Sequence, residues 1–177
     1  MDFIISQQLL SSSSDKRNGQ LIYINLSIYC IMPRPNFRYV PHTADVAFVA
    51  YGNSFKDALE NSGLALLGTM FDQRELKKSK SKTKTLRITE MASNKNDVVW
   101  FLLQRMVSEI DQRGVPAFKL KINHISEEKD KIKINACILC KKSKEYVSLF
   151  DVKAVTPHLL KVKKTGKNWS IKVLLDV

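Results

Sequence analysis

Polar and acidic side chains gather at a short corner directly before an apolar run of the chain. The run from His42 to Asp45 supplies an imidazole, a hydroxyl and a carboxylate, and residues 46–51 then alternate as a β-strand does. A second acid, Asp176, precedes the final residue, Val177. If the last strand ends near this corner, two carboxylates and an oxygen of Val177 meet, and like charges that close require a cation or a proton. Oxygen ligands of this kind suit Ca²⁺ or Mg²⁺ rather than zinc.

Each of these residues also has a plainer interpretation. Asp45 is able to cap a turn, Asp176 is typical of a solvated chain end, and His42 is typical of a hydrogen-bonded turn. Lys153 stands in an otherwise apolar stretch, where it either points outward or pairs with one of the acids. The residues alone leave these alternatives open.

The elements that would position the corner follow from hydrophobic periodicity. Helices are predicted over residues 54–71, opened by a Ser54 cap, and over residues 94–113, stopped by Gly114. The second half of the chain is predicted as an antiparallel meander without a helix, so the two helices would cover one sheet. This is an α+β fold built mainly from antiparallel sheet. The predicted strands are residues 37–40, 46–51, 85–90, 117–125, 131–140, 146–156, 158–164 and 169–177.

Residues 1–31 differ in character from the rest of the chain. They hold a serine-rich stretch and most of an apolar run, residues 21–32, which is too short and too interrupted to span a bilayer. No signal-peptide pattern is present. We interpret residues 1–31 as an N-terminal extension, either disordered or the product of an upstream start codon, and residues 32–177 as the domain. The alternative is an added strand at residues 21–29.

The chain is strongly basic, with 29 Lys and Arg against 17 Asp and Glu in 177 residues and a net charge of +12. Such a charge raises the expectation of a nucleic acid or a ribonucleoprotein partner. The most cationic piece, residues 74–84, has no apolar period and is predicted as a solvated loop and strand edge. Its alternative interpretation is a patch that contacts phosphate or docks a partner.

Several classes of function lack motif support. The six glycines form no phosphate-binding loop, and no GxSxG nucleophile motif is present. Cys137 and Cys140 stand in an alternating run, where side chains three apart face opposite sides, so a zinc or redox role is not expected. With Cys30 the cysteines are odd in number, and reduced thiols in a cytoplasmic protein are predicted.

Three motifs in order resemble the archease family. They are the corner ending at Asp45 with its strand and Gly52, the stretch of residues 152–156 with His158, and the chain end at residues 175–177. The resemblance covers residues 36–177. The family usually has a tyrosine where this chain has Pro157, and a proline there predicts a disturbed backbone after Thr156.

The resemblance implies an archease-like fold and a non-catalytic activator of the RtcB-type RNA ligase, the GTP- and metal-dependent enzyme that joins tRNA halves in tRNA splicing. Such an activator promotes guanylylation of the ligase and allows multiple turnover, and it is not itself an enzyme. The family's metal site carries over to Asp45, Asp176 and Val177, with Ca²⁺ as the expected ion and Mg²⁺ or Mn²⁺ as other hard cations. His42 and Lys153 are expected to support the site.

Two other functions are compatible with the same residues. One is a basic module that binds tRNA or another RNA through its lysines. The other is a small metal-dependent nuclease, in which Asp45 and Asp176 hold Mg²⁺ and Lys153 polarises a phosphate. Direct contact of an activator with tRNA through its lysine-rich surface is a further expectation, and no membrane partner is expected.

Overall fold

The computed structural model of the protein describes residues 35–43, 45–142 and 146–177. The predicted extension, residues 1–31, and Cys30 lie outside the described residues. Every strand pair in the described chain is antiparallel, which confirms the α+β class. The described elements are β1 (Phe37–Val40), β2 (Val46–Gly52), α1 (Phe55–Met70), α2 (Gln73–Lys78), β3 (Thr83–Ala92), α3 (Lys95–Arg113), β4 (Ala117–Glu128), β5 (Lys131–Lys141), β6 (Ala154–Thr165) and β7 (Asn168–Asp176).

The strands form two sheets rather than the one sheet predicted from the sequence. The four-stranded sheet has the order β1-β2-β7-β6, and the three-stranded sheet has the order β3-β5-β4. The second half is therefore two hairpins in different sheets and not one meander. The strand predicted over residues 146–156 begins only at Ala154. Among the described residues before it, Ser148 forms an isolated β-bridge with Phe71.

Helix α1 packs against strands of both sheets, β2 and β7 of one and β4 of the other. It begins with the predicted capping box, in which Ser54 and Asp57 satisfy each other's backbone N–H groups. Its buried residues lie nearly all around the axis, as expected for a helix enclosed on two sides. A Cβ placed on Gly63 would lie 2.5 Å from Cβ of Leu120, so the helix touches β4 where only glycine fits.

Helix α3 joins the two sheets in the same way and fixes the start of β6. It packs against β6 of one sheet and against β3 and β5 of the other. The Trp100 indole N–H donates to the carbonyl of Val155 at 2.7 Å, and the Val155 N–H donates to Oε1 of Gln104 at 2.8 Å. The predicted stop at Gly114 is confirmed, because this residue ends α3 in the left-handed region at φ 56°. The helices thus form a layer between the sheets.

The sequence predicted a solvated loop and strand edge for the cationic segment of residues 74–84. The structure shows a short helix there instead. This helix, α2, is capped by the carboxylate of Asp72 and anchored by Leu76, with 2% of that residue exposed. One buried residue gives no readable period, so the pattern could not reveal this short helix. After it, the ammonium of Lys141 donates to the carbonyl of Ser79 at 2.9 Å and ties the segment to β5.

The backbone of β6 is irregular after Thr156, where Pro157 departs from the family pattern. Pairing with β7 loses its register between Thr156 and Lys161, and Leu159 adopts a φ of 67°. Pro157 lies inside this break, where its missing N–H removes no ladder bond. The two described cysteines are free and buried, and burial raises the pKa of the Cys140 thiol to about 11. None of the helices in the described chain combines the length and apolar character that crossing a bilayer requires.

Candidate functional site: an acid pair at the end of the four-stranded sheet

The pairing of β2 with β7 places the two predicted acids beside each other. Val46 is the partner of Leu175 in this antiparallel ladder. Asp45 precedes Val46 and Asp176 follows Leu175, so the two acids are opposite one position beyond that pair. Residues opposite each other in such a ladder have Cα atoms about 5 Å apart. The register therefore puts Asp45 and Asp176 at the same end of the sheet, each next to the terminal pair Val46–Leu175.

The acid pair points away from the protein core. Leu175 is fully buried in the core, and successive side chains of a strand face opposite sides, so Asp176 projects from the outer face and is exposed. Asp45 is half-buried, with 29% of its side chain exposed. Two carboxylates on the outer face of a sheet remain open to a cation from solvent or to a partner protein.

His42 lies against the first acid. Its Nδ1 atom is 3.7 Å from Oδ2 of Asp45, and 32% of the His42 side chain is exposed. This separation is longer than a good hydrogen bond, so the contact becomes an ion pair only when the imidazole is protonated. His42 therefore lies next to Asp45, and its supporting role at a cation site stays a prediction.

Lys153 is held against the end of β7 by two contacts. Its backbone N–H donates to the carbonyl of Asp176 at 2.9 Å, and its ammonium donates to the main-chain oxygen of Val177 at 3.1 Å. The Lys153 ammonium therefore contacts the main chain of Val177, and no ion pair with Asp45 or Asp176 is present among the described residues.

The carboxylates of Asp45 and Asp176 and the main-chain oxygen of Val177 are oxygen ligands, which suit a hard cation better than zinc, and the His42 imidazole is the nitrogen donor beside them. The described residues contain no group of three or more His, Cys, Asp and Glu side chains that could hold a metal ion. A cation at the corner would therefore use the carboxylates of Asp45 and Asp176 together with an oxygen of Val177. The Lys153 ammonium already bonds that oxygen, so cation binding requires Lys153 to share it or to move.

An apolar cavity that the sequence did not reveal borders Asp45, the first acid of the pair. Its volume is about 450 Å³, and among its described lining residues Asp45 and His42 are the ones with ionisable side chains other than the Tyr39 phenol. The one available signal was the apolar run before β6, whose Phe150 is 52% exposed and lines the cavity. The other lining residues are Tyr39, Val40, Pro41, Val46, Ala47 and Thr69.

The fold and the site define a class of small α+β proteins. In this class two antiparallel sheets enclose helices, and two acids lie at the end of one sheet. The sequence pattern of the archease protein family matches residues 37–177. This chain belongs to the archease family, which confirms the resemblance.

The chain is similar to curated archeases from distant organisms. It is 27% identical over 143 residues to the protein archease of Methanosarcina acetivorans, covering 80% of this chain and 95% of the relative. It is 24% identical over 143 residues to a Dictyostelium discoideum protein named archease-like, covering 80% of this chain and 93% of that relative. The matched relatives are spanned nearly from end to end.

Two solved structures share the fold. One is the solution structure of a Methanobacterium thermoautotrophicum protein, with a TM-score of 0.67, 21% identity, and coverage of 80% of this chain and 99% of that chain. The other is the crystal structure of an archease from Thermotoga maritima, described as a possible chaperone, with a TM-score of 0.51, 22% identity, and coverage of 78% and 94%. At these identities the likeness shows the fold.

Proposed function

We propose that this archease activates an RtcB-type RNA ligase in tRNA splicing, in the cytoplasm, by promoting guanylylation of the ligase with GTP and so allowing multiple turnover. The observation that supports the proposal is the β2–β7 register, whose terminal pair Val46–Leu175 has Asp45 and Asp176 as its sequence neighbours at one end of the sheet. Membership of the archease family supports it. A helper role also agrees with the description of the Thermotoga maritima archease as a possible chaperone.

The acid pair is the working part in this proposal. Asp45 and Asp176 hold a hard divalent cation, Ca²⁺ in the first place and Mg²⁺ or Mn²⁺ as the alternatives, with an oxygen of Val177 as a further ligand. The bound cation supplies local positive charge that offsets the carboxylates. His42 orients the Asp45 carboxylate, and Lys153 keeps the end of β7 in place through its two contacts.

The exposure of the corner suits action on a partner protein. Asp176 is exposed and Asp45 borders an apolar cavity, so a partner surface is able to bury the acids and the cavity together. In this proposal the corner enters the active-site mouth of the ligase and helps to place its catalytic metals and GTP. The archease performs no bond-making step itself.

The test is a guanylylation assay with the full chain, a cognate RtcB-type ligase, GTP and Mn²⁺ under multiple turnover. Asp45→Asn and Asp176→Asn keep the side-chain shape and remove the charge. Each should reduce stimulation to the rate of the ligase alone, because neither carboxylate holds a cation without the other. Asp130→Asn, in the turn between β4 and β5, is the matched control and should stimulate fully.

Two results would contradict the proposal. Full stimulation by both Asp45→Asn and Asp176→Asn would remove the acid pair from the mechanism. Cleavage of labelled RNA by the archease alone with Mg²⁺, lost in Asp176→Asn, would establish the nuclease alternative instead.

A further inference from the structure

The outer face of the three-stranded sheet carries cations without acids over most of its area. Leu86 of β3, Leu120 of β4 and Ile138 of β5 are buried in the core, so their strand neighbours project outward. The acid among the outward residues of this ladder is Glu128, near the end of β4. The outward residues are Thr83, Thr85, Arg87, Thr89 and Met91 on β3, Lys131, Lys133, Asn135, Cys137, Leu139 and Lys141 on β5, and Lys119, Lys121, His124, Ser126 and Glu128 on β4.

The cations of this face form a regular array. Arg87 and Lys121 both pair with Cys137, so they flank it across three strands and their Cα atoms are about 10 Å apart. Lys119 lies two residues from Lys121 on the same strand, a distance of about 7 Å. In the described part of the chain no ion pair involves these three residues or Lys133. Unpaired like charges at this spacing repel each other and favour an anionic partner.

The lysine-rich segment at residues 74–84 extends the same array. The Lys142 N–H donates to the carbonyl of Lys82 at 2.9 Å, which sets two exposed lysines together at the end of the sheet. Lys141 holds the preceding turn through the carbonyls of Ser79 and Ser81, at 2.9 Å and 3.5 Å. The structure therefore joins the most cationic stretch of the sequence to the basic face.

The outer face of the four-stranded sheet differs in its charge pattern. It also carries a basic row, in which Lys172 pairs with Lys161, but the same face ends in the acids Asp45 and Asp176. On the three-stranded sheet the acid in outward register is Glu128, at the far end and opposite Lys131. A polyanion would be repelled at the acidic end of the four-stranded sheet. Over the centre of the three-stranded sheet it would meet no acidic side chain.

We propose that the outer face of the three-stranded sheet, together with Lys82 and Lys142, binds the phosphodiester backbone of RNA. Its cations contact phosphates, and the Thr85 hydroxyl and the Asn135 amide are groups that bind phosphate or sugar rather than base edges. Binding is therefore independent of sequence and strongly dependent on salt. The identity of the nucleic acid rests on the proposed function, because the substrate of the proposed ligase partner is RNA.

The test measures binding of the full chain to a fluorescently labelled tRNA transcript over a series of salt concentrations. The double variant Lys119→Glu with Lys121→Glu should weaken binding about tenfold or more at low salt. It should also reduce the slope of log affinity against log salt by about 2, one unit for each lost phosphate contact. Both lysines are exposed on an edge strand, and a thermal melt checks that the fold is kept.

The matched control is Lys161→Glu with Lys163→Glu. These lysines are also exposed, two residues apart and on the edge strand β6 of the other sheet, so the net charge changes equally. The control should lose less than about threefold in affinity. Equal losses in the two double variants, or no binding by the unaltered chain at low salt, would overturn the proposal.

An acidic protein surface as the true partner gives a different result. In that case the Lys119→Glu, Lys121→Glu variant binds RNA normally but loses binding to the ligase in the absence of RNA, which overturns the RNA proposal. Failure of the proposed function is measured separately, as absence of guanylylation stimulation by the unaltered chain without RNA. The double variant should stimulate that RNA-free step fully.

Discussion

The acid corner of the four-stranded sheet and the basic face of the three-stranded sheet are built by the same strand alternation, yet they have opposite charge. At the corner, strand pairing brings together residues from distant parts of the chain, Asp45 and Asp176. On the basic face, lysines two apart in one strand, such as Lys119 and Lys121, already share a side. The difference teaches that a cation site depends on one register, whereas a polyanion surface tolerates small rearrangements.

The largest expected effect is found in a variant that loses ligase stimulation but keeps its affinity for RNA. Asp45→Asn with Asp176→Asn removes two negative charges from a protein that is already basic, so RNA affinity should stay equal or rise while ligase stimulation is lost. Titration with labelled tRNA beside the guanylylation assay measures both properties. A fall in RNA affinity of tenfold would show that the two regions are not independent.

A substitution that displaces helix α1, which lies between the two sheets, should impair both the acid corner and the basic face. Gly63→Ala places a Cβ 2.5 Å from Cβ of Leu120, and relief of that clash requires α1 to shift from β4. Overpacking of this kind costs about 1–3 kcal/mol. Gly68→Ala is the matched control in the same helix, since its Cβ meets only the Tyr39 hydroxyl at 3.1 Å, at the end of a side chain able to move.

Thermal and urea unfolding of the two glycine variants give the comparison. Both gain up to about 1 kcal/mol from the helix preference of alanine over glycine. The free energy of unfolding should therefore fall in Gly63→Ala and stay near or above the starting value in Gly68→Ala. Equal stability in the two variants would contradict the close contact between α1 and β4.

A smaller effect is expected at Lys153. Lys153→Met removes the ammonium contact with Val177 and keeps the backbone bond to Asp176. A hydrogen bond of this type contributes about 0.5–1.5 kcal/mol, so ligase stimulation should fall by a few-fold rather than to the basal rate. Lys172→Met, on the outer face of the same sheet, should stimulate normally. A loss as complete as in Asp176→Asn would make Lys153 a main component of the site.

The smallest effect is expected at Tyr39, which packs near the cavity beside the acid pair. Its hydroxyl donates to the carbonyl of Ala65 at 3.0 Å, and the Thr69 hydroxyl also donates to that carbonyl, at 3.1 Å. In Tyr39→Phe the Ala65 carbonyl keeps the Thr69 hydroxyl as its side-chain donor. The free energy of unfolding, measured in urea, should therefore fall by about 1 kcal/mol or less. Ligase stimulation should be unchanged.

The same tyrosine gives a pH dependence with a defined sign. Burial raises the pKa of the Tyr39 hydroxyl above its ordinary value of 10.0, and the hydrogen bond with Thr69 lowers it by a smaller amount. The folded state therefore keeps the proton that the unfolded chain releases near that value. This part of the stability is complete below pH 10 and is lost as the pH rises through the folded pKa. Tyr39→Phe should remove that alkaline loss.

Local signals in the sequence predicted most of the helices and strands. The Ser54 cap and the Gly114 stop bound the two long helices within a residue or so. The closeness of Asp45 and Asp176 was predicted as well, because both acids stand next to apolar strands that could pair. Their binding of a cation stays a prediction.

The division into two sheets could not be predicted from the sequence, because alternation shows that a segment is a strand but not which strand it pairs with. Helix α2 was missed because a single buried residue, Leu76, holds it. The apolar cavity depends on Phe150 approaching Tyr39 and Val46 from a distant part of the chain. Each miss concerns a contact between segments far apart in sequence.

Calorimetric titration of the full chain with Ca²⁺ tests the central claim most directly. The account predicts one cation bound per chain, with binding lost in Asp45→Asn and in Asp176→Asn and kept in Asp130→Asn. Equal Ca²⁺ binding by all four proteins, or none by the unaltered chain with Ca²⁺, Mg²⁺ or Mn²⁺, would contradict it.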